Sequence, residues 1–375
     1  MKIGSLCSGA GGLDLAVEQV FGAETVWHCE INEAASKVLE RRWPGVPNHR
    51  DLTTTNWDAV EPVDILTGGY PCQPFSAAGQ RKGTDDERHI WPDIREAIRR
   101  LRPRITFLEN VAGHRSLGFD RVLGDLAEDG MHVRWTSVRA SDVGSCHRRE
   151  RLFILVTPDP NGWRREIGAQ FNRYTTPHTA KRNPQRRHPD GRTGAEVELL
   201  PTPAVNDMGI NKTVEWWDEW TARMKATAGN GNGHGNSLAI EMYRLAGTSD
   251  LLPTPRRSDG DGDGGANPLS TAERMDDVET RVIRLDGQWG KYAPAIARWE
   301  QINGPAPAPT EPNNKGNPRL NPAFSEWMMG WPAGWVTDIE GISRNDQLRI
   351  IGNGVVPQCA EAALRHLLSL ELANA

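Results

Sequence analysis

Residues 2–30 read KIGSLCSGAGGLDLAVEQVFGAETVWHCE. Lys2 to Cys7 is a short apolar strand, the glycine turn after it enters an amphipathic helix, and Glu24 to Cys29 is a second strand ending in Glu30. Strand, turn, helix and strand in that order make a βαβ unit, the building block of a parallel sheet with right-handed crossovers. The turn Ser8-Gly-Ala-Gly-Gly12 joins a strand end to a helix N-terminus, and an acid, Glu30, closes the second strand about 20 residues later. Glycines there let a ligand approach the backbone, and a carboxylate at the next strand end accepts from ribose hydroxyls. The stretch therefore predicts a nucleoside cradle.

Outward from this unit the alternation continues. Asn32 to Arg42 reads as a helix capped by Asn32, Val63 to Thr67 as a strand, Trp91 to Leu101 as a helix, and Arg104 to Leu108 as a strand that runs into Glu109 and Asn110. Leu117 to Glu128 reads as a helix, and His132 to Val138 and Leu152 to Val156 as closing strands. The expected fold is α/β, a doubly wound and mostly parallel sheet over residues 1–157. After Pro158 the pattern is lost. Residues 158–318 are rich in Pro, Gly, Asn and Arg, which predicts a smaller irregular region. Periodicity returns around Glu326 and from Val355 to Leu372, so residues 319–375 are expected to come back to the first domain.

Residues 68–76, GGYPCQPFS, follow the strand VDILT and place Cys72 directly after a proline in a glycine-rich turn. Pro71 fixes its own φ and restricts the residue before it, so an apolar strand ends in a rigidly aimed thiol. At the carboxyl end of a parallel strand this is where open α/β sheets place their ligands, and a nucleophile there has a chemical use. A buried free cysteine is the other reading of the same residue. Asp51 is expected at a further strand end and Glu109 at the next, so several strand ends converge on one edge.

Five cysteines (Cys7, Cys29, Cys72, Cys146, Cys359) are odd in number and form no C-x-x-C pair, which argues for a reducing compartment and against a disulfide framework or a zinc site. No apolar run approaches the roughly 18–20 residues that span a bilayer, and Met1-Lys2-Ile3-Gly4 carries no leader, so a cytoplasmic protein is expected. The formal charge is −5, yet residues 163–192 hold eight basic residues against two acidic ones. That segment predicts an exposed basic loop able to follow a phosphate backbone, with a solvated linker as the alternative. LLPTP occurs twice, from Leu199 and from Leu251, and is read as two similar structural starts. Asp259, Asp261, Asp263 and Gly264 imitate a calcium loop, but Ser270 stands where the bidentate glutamate belongs, so no metal is expected. Trp216, Trp217 and Trp220 have helical spacing and are read as core.

Taken together these segments resemble the DNA cytosine-5 methyltransferase family. SLCSGAGGLDLA resembles its loop for the methionine side of S-adenosyl-L-methionine, CEIN its ribose-binding segment, GGYPCQPFS its catalytic loop and FLENV the segment of its catalytic glutamate. HRRERLFIL resembles the paired-arginine segment, and RLNPAFSEWMMGWP and IIGNGVVPQ the two closing segments. The resemblance implies a Rossmann-like methyltransferase fold, with residues 158–318 as the target-recognition region, acting on double-stranded DNA as a monomer in a bacterial or phage-infected cell. It implies that Cys72 adds to C6 of a flipped cytosine, that Glu109 bonds N3, that Arg151 holds O2 and that Arg149 braces the loop.

For the cofactor it implies Glu30 at the ribose, Asp51 at the adenine amino group and Gly9, Gly11 and Asn353 near the methionine end. Cys7, Ser8, Gly12, Leu13, Ile31, Leu52, Pro71 and Val355 complete that site. Toward DNA it implies Gln73, Ser76 and Arg81 in the loop, with the stretch from Ala77 to His89 closing around the base, and Arg164, Arg165, Arg186 and Arg187 in the basic segment. The chain departs from the family's pattern at Cys7, often phenylalanine, at Ile31, often larger, at His147, often glutamine, and at Cys146, often proline. A transfer RNA cytosine-5 methyltransferase and a DNA-binding relative without catalysis are the alternatives.

Overall fold

The computed structural model describes residues 1–70, 90–158, 199–200, 202, 212–228, 237–247, 289–316 and 318–373. Its centre is a six-stranded sheet built from β1 (Lys2–Leu6), β2 (Glu24–Cys29), β3 (Ile65–Gly69), β4 (Ile105–Val111), β5 (His132–Arg139) and β6 (Glu150–Thr157). The spatial order is β2-β1-β3-β4-β6-β5. β1 to β4 run parallel, and β6 lies antiparallel between β4 and β5. Strand order reverses at β1, which opens a crevice beyond its carboxyl end. The doubly wound, mostly parallel sheet expected from the sequence is the observed one.

Local chemistry explains the boundaries. α1 (Gly12–Phe21) starts after Gly11 and stops at Gly22, both in the left-handed region, which glycine enters without steric penalty. α2 (Glu33–Arg42) is capped as expected, with Asn32 Oδ1 accepting from the Ala35 N–H at 2.9 Å. β3 starts two residues later than the sequence reading and runs on through both glycines, because Gly68 and Gly69 pair with Leu108 and Glu109 of β4. A Cβ on Gly68 would already press the Leu108 side chain at 3.0 Å. Gly4 is tighter still: a Cβ there would enter the Trp27 ring at 2.1 Å.

Each face of the sheet carries a hydrophobic cluster. One face packs α1 and the C-terminal helix, through Val17, Phe21, Leu364 and Leu367. The other packs α3 (Trp91–Leu101) and α4 (Phe119–Glu128), through Ile94, Ile98, Val122 and Leu126. The described parts of the region after Pro158 are more regular than their composition implies. They form α5 (Val214–Ala228), α6 (Leu238–Gly247) and α7 (Ala293–Asn303). In α7 the proline sits in the first turn, where its missing N–H has no helical partner to lose. Trp217 is buried as expected, whereas Trp216 is 39 % exposed and stacks on Trp220 at the surface. A third cluster joins Trp289, Ile296 and Trp299 to Phe324 and Met328 of α8 (Pro322–Met328). α9 (Arg344–Asn353), which the sequence reading left out, and α10 (Pro357–Ala373) close the chain.

Asp14 on α1 is buried against the sheet, accepting from Ser5 Oγ at 2.8 Å and from Thr67 Oγ1 at 2.5 Å. Burial pushes its carboxyl up to about 7, against the pull of those two donors. In the unfolded chain it ionises near 4, so the stability it contributes is complete below that pH and is lost as pH rises through about 7. Asp14→Asn cannot ionise. Its stability relative to the parent in urea unfolding is expected to climb by a few kcal/mol between about pH 4 and pH 7, and a pH-independent difference would remove Asp14 as the titrating group.

Candidate active site

Beyond the carboxyl end of β1 the backbone leaves the strand abruptly. Cys7 still pairs across the sheet, its N–H donating to the Cys29 carbonyl at 2.8 Å, but its φ is 49°. Gly9 and Gly11 follow with φ of 55° and 76°. This tight turn aims the Gly9 N–H at Glu30 Oε2, 2.8 Å away, while the Asn32 N–H donates to Oε1 at 2.8 Å. Asn48 fixes the same corner from outside, accepting from the Glu30 N–H and donating to its carbonyl. The carboxylate is thus buried and oriented, with lone pairs left on both oxygens. Burial raises its pKa, with the two N–H donors and Arg50 acting in the opposite direction.

A cavity of about 650 Å³ opens in front of this corner, within the range of small-molecule sites. The expected cofactor residues Cys7, Ser8, Gly9, Gly12 and Leu13 line it from the glycine turn. Glu30, Ile31, Asp51 and Leu52 line it from the β2 side, and Asn353 and Val355 from the closing segment. Gly11 is not on the wall; a Cβ there would meet the Trp43 ring at 2.3 Å. Asp51 is at no strand end. Only an isolated His28–Asn48 bridge precedes it, and its carboxylate caps its own turn by accepting from the Thr53 N–H and hydroxyl, which lowers its pKa.

A second edge of the cavity is built by β3, β4 and β6. Glu109 and Arg151 both reach the cavity and pair at 2.7 Å. Burial raises the Glu109 pKa, and Arg151 and Arg149 pull it back. Gly69 leaves the approach open, since a Cβ on it would stand 3.4 Å from Glu109 Oε2. The Asn110 side chain donates to the Tyr70 carbonyl at 3.4 Å, and the Tyr70 hydroxyl meets His114 Nε2 at 2.9 Å. Tyr70, the last described residue before Pro71 in the sequence, is thereby held in place. Pro71, Cys72, Gln73, Ser76 and Arg81 lie outside the described residues, as do Arg164, Arg165, Arg186 and Arg187.

Arg149, expected to brace the Cys72 loop, is buried behind the wall. Its guanidinium donates to the carbonyls of Gly352 and Gly354 at 3.0 and 2.6 Å and so holds the turn after α9. Sequence reasoning missed Tyr70, Asn110, Arg349 and Trp335. The first two stand inside motifs already singled out, Arg349 is one helical turn before Asn353, and Trp335 carries no local signal. Among the described residues, no group of three or more metal-ligating side chains occurs, and no helix is long and apolar enough to cross a membrane.

The sequence profile described as C-5 cytosine-specific DNA methylase matches residues 1–369. The chain belongs to that family. Among curated relatives it is 28 % identical over 242 residues to the type II methyltransferase M1.ScrFI of Lactococcus lactis subsp. cremoris, covering 63 % of this chain and 57 % of that one. It is 34 % identical over 181 residues to the type II methyltransferase M.HpaII of Haemophilus parainfluenzae, covering 46 % and 48 %. The chain thus spans about half the length of the curated relatives it matches. Among solved structures, the S. pombe Dnmt2 methyltransferase superposes over 100 % of this chain and 99 % of its own at 15 % identity, with a TM-score of 0.51, a likeness of fold.

Two departures from the family pattern have clear packing. His147 is fully buried, with Nε2 at 3.0 Å from the Met328 carbonyl and Nδ1 accepting from the Arg149 N–H at 3.3 Å. Burial lowers its pKa to about 3, so the ring is neutral and acts as a two-ended spacer. Cys146 is buried beside it in the third cluster. The glycine turn is held from outside by Trp335, whose Nε1 donates to the Ala10 carbonyl at 2.8 Å. Arg42 lies over the Trp335 ring and donates to the Trp335 carbonyl, and buried Glu326 accepts from the N–H groups of Gly334, Val336 and Thr337. Trp335→Phe removes the indole donor together with part of the ring that Arg42 and Trp43 touch. Amide exchange in residues 8–12 is expected to quicken about five-fold, the equivalent of about 1 kcal/mol. Unchanged exchange would show that the turn keeps its shape without this contact.

Proposed function

We propose that the protein transfers a methyl group from S-adenosyl-L-methionine to C5 of a cytosine flipped out of double-stranded DNA, through a covalent bond from Cys72 to C6. The observation that carries this is the buried Glu109–Arg151 pair, which shares one cavity with a Glu30 carboxylate held by the glycine turn. The residues fit the cofactor. Glu30 offers free lone pairs to a ribose, Gly9 has open space where a Cβ would stand, and the wall carries both acids and guanidinium groups. When bound, the cofactor supplies an electrophilic methyl group.

The chain's own groups supply the rest. C5 of cytosine is a weak nucleophile, and addition of the Cys72 thiolate to C6 makes C5 enamine-like. Negative charge then builds toward N3. Glu109, held in place by Arg151, bonds the N3 edge and stabilises that charge, and Arg151 has N–H groups left for O2. Once C5 has gained the methyl group, loss of the C5 proton and expulsion of the thiolate restore the aromatic ring. Arg149 acts at one remove, by fixing the carbonyls of Gly352 and Gly354. The basic residues Arg164, Arg165, Arg186 and Arg187, with Gln73, Ser76 and Arg81, are proposed to meet DNA, and residues 158–318 to select the target.

Cys72→Ser is expected to bring methyl transfer below detection while leaving binding of S-adenosylhomocysteine intact, and DNA containing 5-fluorocytosine is expected to trap a covalent complex, since fluorine cannot leave as the proton does. Methylation by Cys72→Ser at the parental rate, or no trapped species, would sink the thiolate mechanism. Glu109→Gln is expected to slow transfer by roughly 10²–10³-fold. Bisulfite sequencing of DNA from cells expressing the protein tests the activity and reads the target together, and methyl transfer to transfer RNA but not to DNA would replace the substrate.

A further inference from the structure

Three arginines among the described residues line the cavity: Arg50, Arg151 and Arg349. Two of them are engaged in building it. Arg50 donates to Ser36 Oγ, the Ile31 carbonyl and the Glu33 carboxylate, and Arg151 donates to Glu109 and the Glu150 carbonyl. Arg349 is placed differently. Its side chain is 51 % exposed, and among the described residues it pairs with Asp346, one turn earlier on the same helix.

Its position relative to the glycine turn is fixed by α9. Asn353 follows Arg349 by four residues and lines the same cavity, so the two project from one face of the helix. The segment after α9 lies directly on the start of α1: a Cβ on Gly12 would come within 2.9 Å of the Val355 carbonyl, and the Val355 carbonyl accepts from Trp331 Nε1 at 3.0 Å. Arg349 therefore belongs to the wall that closes over the turn from Ser8 to Gly12. A ligand with an amino-acid end brings a carboxylate to this wall, and a carboxylate taken out of bulk water needs a cation or several N–H donors.

We propose that Arg349 binds the carboxylate of the cofactor's methionine end. The inference rests on the S-adenosylmethionine reading given above. A guanidinium has five N–H donors, so the pair with Asp346 is kept and orients the fork while two N–H groups meet the ligand. The acids of the wall, Glu30, Asp51 and Glu109, are left for the hydroxyls, the adenine amino group and the target base. A DNA phosphate is the other anion that a half-exposed arginine at a cavity rim meets, and the two predict different behaviour without DNA.

Calorimetry of the full chain without DNA separates them, using S-adenosylhomocysteine and its decarboxylated counterpart as probes. Arg349→Ala is expected to weaken S-adenosylhomocysteine about 10-fold or more, Arg349→Lys to recover part of the loss, and the decarboxylated probe to bind both variants within about two-fold of the parent. An equal loss with both probes would overturn the inference by making Arg349 a support of α9. No loss without DNA, together with a raised KM for DNA, would overturn it in favour of a phosphate contact. Failure of the parent protein to bind S-adenosylhomocysteine would overturn the cofactor reading and this inference with it, whereas the first two outcomes overturn this inference alone.

Discussion

The Glu109 carboxylate is buried at the carboxyl end of β4, and a buried carboxylate is tolerable only with a partner of opposite charge or with several donors. Arg151 is that partner, and it comes from β6, the one strand that runs against its neighbours. The register places Arg151 opposite Val111, two residues past Glu109, so the guanidinium reaches back along the strand to the acid. Arg149, the residue before β6, extends the positive charge behind the wall and fixes the turn after α9. Without the reversed strand, neither arginine would stand at this edge.

The same requirement shapes the loops around the cavity. Glu30 is satisfied by the N–H groups of Gly9 and Asn32, and Glu326 by those of Gly334, Val336 and Thr337. In both places a buried acid dictates how a glycine-containing turn folds, because the turn must present its donors inward. The two turns then meet, through the Trp335 indole and the Ala10 carbonyl. The cavity is therefore bounded by loops whose shape is set by carboxylates outside its lining as well as by those within it. A substitution at Glu326 acts on the glycine turn although it touches nothing in the cavity.

The first third of the chain was legible because its period changes are sharp. β1, α1, β2, α2 and α3 fall within a residue or two of their expected bounds, and Asn32 caps α2 as its position implied. Asp51 was misplaced because an acid near the sheet edge looks the same whether it ends a strand or caps its own turn, and only the Thr53 contacts distinguish the two. α7 and α9 were missed for a different reason. Their stretches carry Pro294, or mix Asn, Asp, Arg and Gly among few apolar residues, and the burial of Trp299 and Ile351 that stabilises them comes from segments far away in sequence. The motif residues Glu109 and Arg151 were legible, but their pairing was a matter of strand direction. Trp335 was invisible, since nothing local distinguishes an indole that braces a turn from one in the core.

The joint between the sheet and the region that follows it runs through main-chain carbonyls. Arg298 of α7 donates to the carbonyls of Gly144 and Ser145, the Leu200 N–H donates to the Cys146 carbonyl, and His147 meets the Met328 carbonyl. Residues 144–149 thus touch the sheet, the inserted region and the closing helices within a single turn. Backbone acceptors are present whatever side chains occupy residues 144–146, so this attachment constrains the sheet's side of the joint lightly, while the inserted side must supply the Arg298 guanidinium. The sheet edge, whose Glu109 and Arg151 depend on each other's charge, has no such latitude.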